Sequence, residues 1–283
     1  MNTRRTILDL YAAKQAGRKI VAISCYDFTT ARLVAQSDVD MILVGDSAAQ
    51  LLLGHESTLP ATMDFMVMIT AAVGRGAPET CLVADMPFMS YQTGIRDALR
   101  NAARFVTDAG AQIVKFEVTD AYLDVVRAVS NAGIAVMAHI GIRPQSISKL
   151  GRLRAEGTTA KLAFGLVRSA QNMIEAGASA LLIEGTASEV SELITQLVDV
   201  PVISCGSGVG CDGQVLVAPD ILGLSPGKKP KFSKSFGNLA DQTVSAIGAY
   251  GLSVRDESFP DDQHCYHMKP GEMDKLKKLL EMP

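Results

Sequence analysis

Eight short apolar runs, each closed by a polar residue or a glycine, limit the fold of this chain more than any other feature. They occupy positions 19–24, 40–46, 80–85, 111–117, 134–139, 180–184, 200–205 and 219–224. Each has strand length and near-continuous hydrophobicity, the pattern of parallel strands covered on both faces. Helical spacing fills the gaps at 95–109, 121–131, 163–176 and 188–197. Gly110, Gly133 and Gly177 follow three of these segments, as left-handed helix caps do. Eight β–α units predict a (β/α)8 TIM barrel, a single α/β catalytic domain over 1–251. An amphipathic N-terminal helix with Ile7, Leu8 and Tyr11 on one face precedes it. A polar, helical tail over 252–283, packed on or beside the barrel, follows it. The competing arrangement is a doubly wound open sheet. It lacks its usual support, because no dinucleotide fingerprint follows the first run. Gly206-Ser-Gly208-Val-Gly210 matches only in part and comes after the seventh. It predicts a tight βα turn with backbone amides facing a ligand.

Composition excludes several function classes. Twenty-seven basic against thirty acidic residues give a net charge of −3, which offers no footprint for nucleic acid or an anionic membrane. Aromatic residues make up 5% and tryptophan is absent, so base-stacking platforms are not expected. The uncharged stretch between Asp64 and Arg75 is too short to span a bilayer. Arg4-Arg5 has the look of an export signal, but Asp9, Lys14 and Gln15 break the apolar segment that such a signal needs. Cys25, Cys81, Cys205, Cys211 and Cys265 include no Cys-x-x-Cys pair and are odd in number. That predicts reduced thiols in a cytoplasmic protein. Segments 46–80 and 140–162 interrupt the even spacing and are candidate lids at the catalytic face.

The chemistry lies where the runs end. Asp46-Ser47, Asp85, Lys115-Phe-Glu117, His139 and Glu184 close five successive runs. In a barrel such positions converge at the carboxyl ends of the strands. Lys115 and Glu117 are two apart and share one strand face. An ionisable side chain at the end of a buried strand is costly unless paired or metal-bound. Asp46, Asp85 and Glu117 form an oxygen-only set suited to Mg²⁺; zinc would want Cys or a second His. Any one of these acids could instead cap a helix or pair with a basic residue. Lys115 could neutralise a carboxylate or enolate oxygen, or simply bridge to an acid. His139 could bond a substrate oxygen or support a residue that does. Glu184, apart from the trio, suits a general base, with a fourth ligand or a helix cap as its alternatives. Metal, lysine and separate base together suggest enolate chemistry on a 2-oxo acid.

With these residues in place, the chain resembles the ketopantoate hydroxymethyltransferase (3-methyl-2-oxobutanoate hydroxymethyltransferase) family over about 19–267. The resemblance rests on Cys25-Tyr-Asp-Phe28, Met41-Ile-Leu-Val-Gly-Asp-Ser47, Gly54-His-Glu-Ser-Thr-Leu-Pro60, Arg75-Gly-Ala-Pro78 and Ala84-Asp-Met-Pro-Phe-Met89. It continues through Val114-Lys-Phe-Glu117, Ala138-His-Ile-Gly-Ile-Arg-Pro-Gln-Ser146, Cys211-Asp-Gly-Gln-Val-Leu-Val217 and Pro230-Lys-Phe232. The resemblance implies a TIM barrel, Mg²⁺, and transfer of a one-carbon unit from 5,10-methylenetetrahydrofolate to 3-methyl-2-oxobutanoate. The product would be ketopantoate, for pantothenate and coenzyme A. It implies Asp46, Asp85 and Glu117 at the metal, Ser47, Lys115 and His139 on the oxo acid with the two aspartates, and Glu184 as proton acceptor. It also implies a homo-oligomer, commonly a decamer, beside the cytoplasmic setting and the lack of a nucleic-acid or membrane partner read above from cysteines and charge.

Departures from the family pattern fall at Ala48-Ala49, Gly185-Thr186-Ala187, Ala155-Glu156-Gly157, Ser204-Cys205 and the basic run 225–229. They leave two other readings open. One is a paralogue using the same enolate chemistry on another oxo acid or electrophile, as an aldol or carbon–carbon lyase would. The other is a non-catalytic oligomeric paralogue.

Overall fold

The computed structural model describes residues 4–225, 227 and 229–282. Its described residues fall into two compact units, divided between Phe236 and Gly237. The first is a closed barrel of eight parallel strands in the order β1 to β8. They are β1 Ile20–Ser24, β2 Met41–Val44, β3 Cys81–Asp85, β4 Ile113–Glu117, β5 Ala135–Gly141, β6 Ala180–Glu184, β7 Val202–Cys205 and β8 Gly213–Val217. The helices of this unit are α1 Ile7–Gln15, α2 Phe28–Val34, α3 Ala48–Leu51, α4 Met63–Gly76, α5 Ile95–Thr107, α6 Leu123–Asn131, α7 Ile147–Leu150, α8 Ala160–Glu175, α9 Ser188–Leu197 and α10 Ala218–Leu222. The second unit carries α11 Leu239–Arg255 and α12 Glu272–Leu279. Position 251, where the sequence pattern ends the barrel, lies inside α11. Among the described residues no helix is long and apolar enough to cross a membrane.

Seven of the eight apolar runs are strands. The eighth is not: residues 218–222 form α10, and β8 lies just before it. Pro219 explains the change. Proline fits the first turn of a helix, where its missing N–H has no partner to lose, but it cannot donate within a parallel ladder. β8 was hidden because it opens on glycine and carries exposed Gln214. Gly213 is required by closure: a Cβ there would stand 2.6 Å from the Ile20 carbonyl oxygen and 2.8 Å from Ile203.

The strand period of two sorts the core into two clusters. Met41, Leu43, Val83, Ile113, Met137, Leu182, Ile203 and Val215 fill the barrel interior. Ile42, Val44, Leu82, Val114, Phe116, Ala138, Ile183 and Val202 belong to the other cluster, with helix residues such as Val73, Phe105, Val126 and Met173. α1 joins the interior cluster through Leu10 and Ala13. Of the expected face, Ile7 packs against this cluster and Tyr11 against the other, while Leu8 is 73% exposed. The Arg4-Arg5 pair holds that end of the chain: Arg5 bonds Val39 and the buried Asp40, and Arg4 the Thr80 carbonyl. Segment 46–80 is not one insertion, because α4 is the helix between β2 and β3. What remains, 46–62, holds α3, and segment 140–162 holds α7.

Candidate active site

Continuing the inward period of each strand by one step leads from apolar floor to polar ring. Leu43 is followed by Gly45 and Asp46, Val83 by Asp85, Ile113 by Lys115 and Glu117, Met137 by His139, and Leu182 by Glu184. All seven residues singled out from the sequence (Asp46, Ser47, Asp85, Lys115, Glu117, His139 and Glu184) line one cavity of about 520 Å³. Leu43, Leu182 and Val215 line its apolar side. Segment 46–62 supplies Gln50, Glu56, Ser57 and Thr58 to the wall, and segment 140–162 supplies Pro144, Ile147 and Leu153. The glycine turn 206–210 does not line the cavity. Gly206 instead packs beneath the Phe232 ring, which a Cβ would approach to 2.4 Å.

The polar ring is a chain of contacts running from β2 to β6. Asp85 Oδ2 accepts from the Asp46 backbone N–H at 3.2 Å and from Lys115 Nζ at 2.7 Å. Lys115 Nζ lies 3.2 Å from His139 Nδ1. His139 Nε2 stands 3.5 Å from Glu184 Oε2. An ammonium has only donors, so Nδ1 accepts and the neutral imidazole carries its proton on Nε2. That Nε2 is buried and has no hydrogen-bond partner. Its N–H is directed beside Glu184. The Glu184 carbonyl accepts from Ile142 N–H at 2.9 Å. Gly141 permits this approach: its φ is +89°, and a Cβ would stand 2.3 Å from the same carbonyl oxygen.

Crowding of carboxylates away from water shapes the proton affinities. Burial pushes Glu184 up to about 7, with Lys115 opposing and Asp46 adding to the rise. Burial pushes Glu117 up to about 9 against the pull of Lys115. Burial also raises Asp85, again against Lys115. For Lys115 burial acts downward, but Asp85, Asp46 and Glu117 outweigh it and hold the ammonium charged. His139 is driven well below its ordinary value by burial and then by Lys115 and Arg143, so it is neutral. Cys205 also lines the cavity, and burial keeps its thiol protonated, hence a poor nucleophile.

Three contributors were not singled out from the sequence. Gln145 Nε2 donates to Asp46 Oδ2 at 2.9 Å, and Gln145 N–H faces both Glu117 oxygens at 3.1 Å. Tyr91 Oη lies 2.9 Å from Gln145 Oε1, and Tyr26 Oη lies 2.8 Å from Ser47 Oγ. Gln145 and Tyr26 sit within the quoted motifs, yet no charge or spacing marks them. Tyr91 carries no signal at all, because its role depends on the long-range approach of β3 and β5. Among the described residues, no three His, Cys, Asp or Glu side chains are placed to hold one metal ion. Glu117 is engaged by Gln145, while Asp85 Oδ1 is buried without a partner. The altered positions Ala48, Gly185 and Ser204 lie outside the cavity lining; of the departures, Cys205, Ser225 and Lys229 reach it. Of the basic run, Pro226 and Lys228 lie outside the described residues, and Lys229 lines the cavity.

Residues 4–262 match the family model for ketopantoate hydroxymethyltransferase. The 3-methyl-2-oxobutanoate hydroxymethyltransferase of Hyperthermus butylicus is 46% identical over 275 residues, covering 97% of this chain and 95% of the relative. That of Geobacter metallireducens is 42% identical over 266 residues, covering 94% and 100%. Among solved structures, 2,3-dimethylmalate lyase, of the PEP mutase/isocitrate lyase superfamily, aligns with a TM-score of 0.59 at 17% identity over 97% of this chain and 95% of the other. Phosphonopyruvate hydrolase, solved with oxalate and Mg²⁺, aligns with a TM-score of 0.60 at 14% identity over 98% of each chain. These two share the barrel fold.

Proposed function

The chain belongs to the ketopantoate hydroxymethyltransferase family, and from that premise we propose that it moves a hydroxymethyl group from 5,10-methylenetetrahydrofolate to 3-methyl-2-oxobutanoate. One water is consumed, tetrahydrofolate leaves, and 2-dehydropantoate (ketopantoate) is formed for pantothenate and coenzyme A. The observation that carries this reading is Glu184, poised near neutrality on the cavity wall with a fixed ammonium and paired aspartates across from it.

The donor set fits Mg²⁺. Asp46, Asp85, Glu117 and Glu184 line one cavity with Lys115, and Asp85 Oδ1 lacks any partner. Mg²⁺ is commonly held by one or two carboxylates plus substrate and water, so a third protein ligand is not needed. Asp46 and Asp85 would hold the ion, with Glu117 beside them on Gln145 N–H. When bound, the ion supplies Lewis-acid polarisation of the keto group. The protein's own residues do the rest. Ser47 and the His139 Nε2–H offer donors to the oxo acid. Lys115 offsets negative charge on its oxygens. Glu184 takes the proton from C3, and the carbon so exposed attacks the one-carbon unit. The apolar side of the cavity receives the branched alkyl group. Of the departures from the family pattern, Ala48, Gly185 and Ser204 lie outside the lining, whereas Cys205, Ser225 and Lys229 lie in it, so any preference for another oxo acid would rest on those three. A cytoplasmic setting accords with five unpaired cysteines.

Proton exchange at C3 of 3-methyl-2-oxobutanoate in D₂O with Mg²⁺ tests the reading. Wild-type protein should exchange that proton, and Glu184→Gln should lose about 10²- to 10⁴-fold of the rate while still binding the oxo acid. A folded wild-type protein that exchanges nothing would sink the assignment of this substrate. A panel of 2-oxo acids differing at C3, followed by product analysis, then tests the substrate and the donor.

A further inference from the structure

We propose that Gln145 is the positioning residue for the cation pair Asp46 and Asp85, a role that rests on the function proposed above and deepens it. Every polar atom of this residue but its carbonyl is committed to the site. Its carboxamide nitrogen donates to Asp46 Oδ2 at 2.9 Å and to the Met86 carbonyl at 3.0 Å. Its carboxamide oxygen faces Tyr91 Oη at 2.9 Å and Gln92 Nε2 at 3.4 Å. Its backbone N–H meets both Glu117 oxygens. Gln145 itself is 3% exposed.

The orientation of the amide follows from these partners. A flipped amide would turn its oxygen toward the Asp46 carboxylate and the Met86 carbonyl, setting acceptor against acceptor. Gln145 therefore presents two donors to β2 and β3 and ties down one oxygen of Asp46. Lys115 and the Asp46 N–H tie down one oxygen of Asp85 in the same way. Each aspartate is thus held by one oxygen and keeps the other for a ligand. The backbone N–H of Gln145 bonds both oxygens of Glu117, the third carboxylate. A glutamine is suited to this task because it donates without adding charge, so it does not compete electrostatically with a bound cation. Outer hydrogen bonds of this type usually set metal affinity by about 10- to 100-fold.

Gln145→Met keeps the volume and the backbone N–H but removes the donors. Calorimetric titration of Mg²⁺ into the protein, without oxo acid, should show at least about tenfold weaker binding than wild type. C3 exchange should recover toward the wild-type rate as Mg²⁺ is raised, separating an affinity defect from a lost catalytic group. Tyr91→Phe, which keeps the ring packing and removes the hydroxyl from Gln145 Oε1 and from the Glu117 carbonyl, each at 2.9 Å, should weaken Mg²⁺ roughly two- to tenfold. A folded Gln145→Met protein with wild-type Mg²⁺ affinity overturns this proposal alone. If that variant does not fold, unchanged affinity in Tyr91→Phe does the same. A wild-type protein that binds no Mg²⁺ overturns the proposal together with the metal on which it rests.

Discussion

Glu184 and His139 show how two neighbouring groups acquire opposite roles from one environment. Burial favours the neutral form of each, so the carboxyl is raised toward neutrality while the imidazole is held uncharged. Lys115 then fixes which imidazole nitrogen keeps the proton. The result is a base and a neutral donor side by side, 3.5 Å apart. A pH dependence follows with a definite sign. Below about 7, Glu184 carries a proton and cannot accept the one at C3; above it the carboxylate is free to do so. kcat/KM for C3 exchange should therefore rise with pH and level off near neutrality, and bound Mg²⁺ should move the rise to lower pH by favouring the charged carboxylate. A rate that falls steadily from about pH 6 to pH 8 removes Glu184 as the base.

Helices and strands place these residues, and their energetics can be tested apart from the chemistry. Leu10 lies 1% exposed in the barrel interior cluster, whereas Leu8 on the same helix faces solvent. Leu10→Ala should cost about 2–5 kcal/mol of stability, and Leu8→Ala less than about 0.5 kcal/mol, measured by urea unfolding. Equal effects would mean that α1 is docked on its other face. Gly141→Ala places a Cβ against the Glu184 carbonyl at positive φ. It should destabilise by about 1–3 kcal/mol from backbone strain alone and slow C3 exchange by displacing Glu184. Most of this architecture is legible in the sequence because buried parallel strands need uninterrupted apolar residues, and seven of the eight show them. β8 escapes, since Gly213 and the exposed Gln214 break the run while the more apolar 219–224 mimics it. The face of α1 is legible only in part: Ile7 and Tyr11 pack inward as expected, but Leu8 faces solvent and the interior takes Leu10 and the small Ala13. In the site, charges at strand ends were visible and neutral hydrogen-bonding partners were not. Asp46 and Glu184 stand out against their runs, whereas Gln145 and Tyr91 gain meaning only when β2, β3 and β5 close into a barrel.

At the scale of the whole molecule, the unit beginning at Gly237 carries an apolar helical stripe that needs a covering partner to be stable. None of its described residues is buried. On α11, Val244, Ile247 and Val254 follow helical spacing, at 72%, 65% and 46% exposure, with Tyr250 beside them. A helix that displays such a stripe to water gains little from folding, because most helical stability comes from packing an apolar face. Contiguous exposed apolar surface of this kind marks an interface. We therefore expect the chain to be a homo-oligomer that covers this stripe, most simply with a second copy of itself, since self-association of identical subunits is the commonest assembly. Light scattering after size-exclusion chromatography should give a mass that is a multiple of 30.0 kDa. Val244→Asp combined with Ile247→Asp should move that mass toward one chain and lower the thermal midpoint, because buried charge at an apolar contact is strongly unfavourable. The residues that line the cavity all belong to the first unit, so any activity lost by this double variant should track dissociation and return as protein concentration is raised. A wild-type chain that stays monomeric at concentrations of tens of micromolar would show that the stripe has no copy of this chain as its partner.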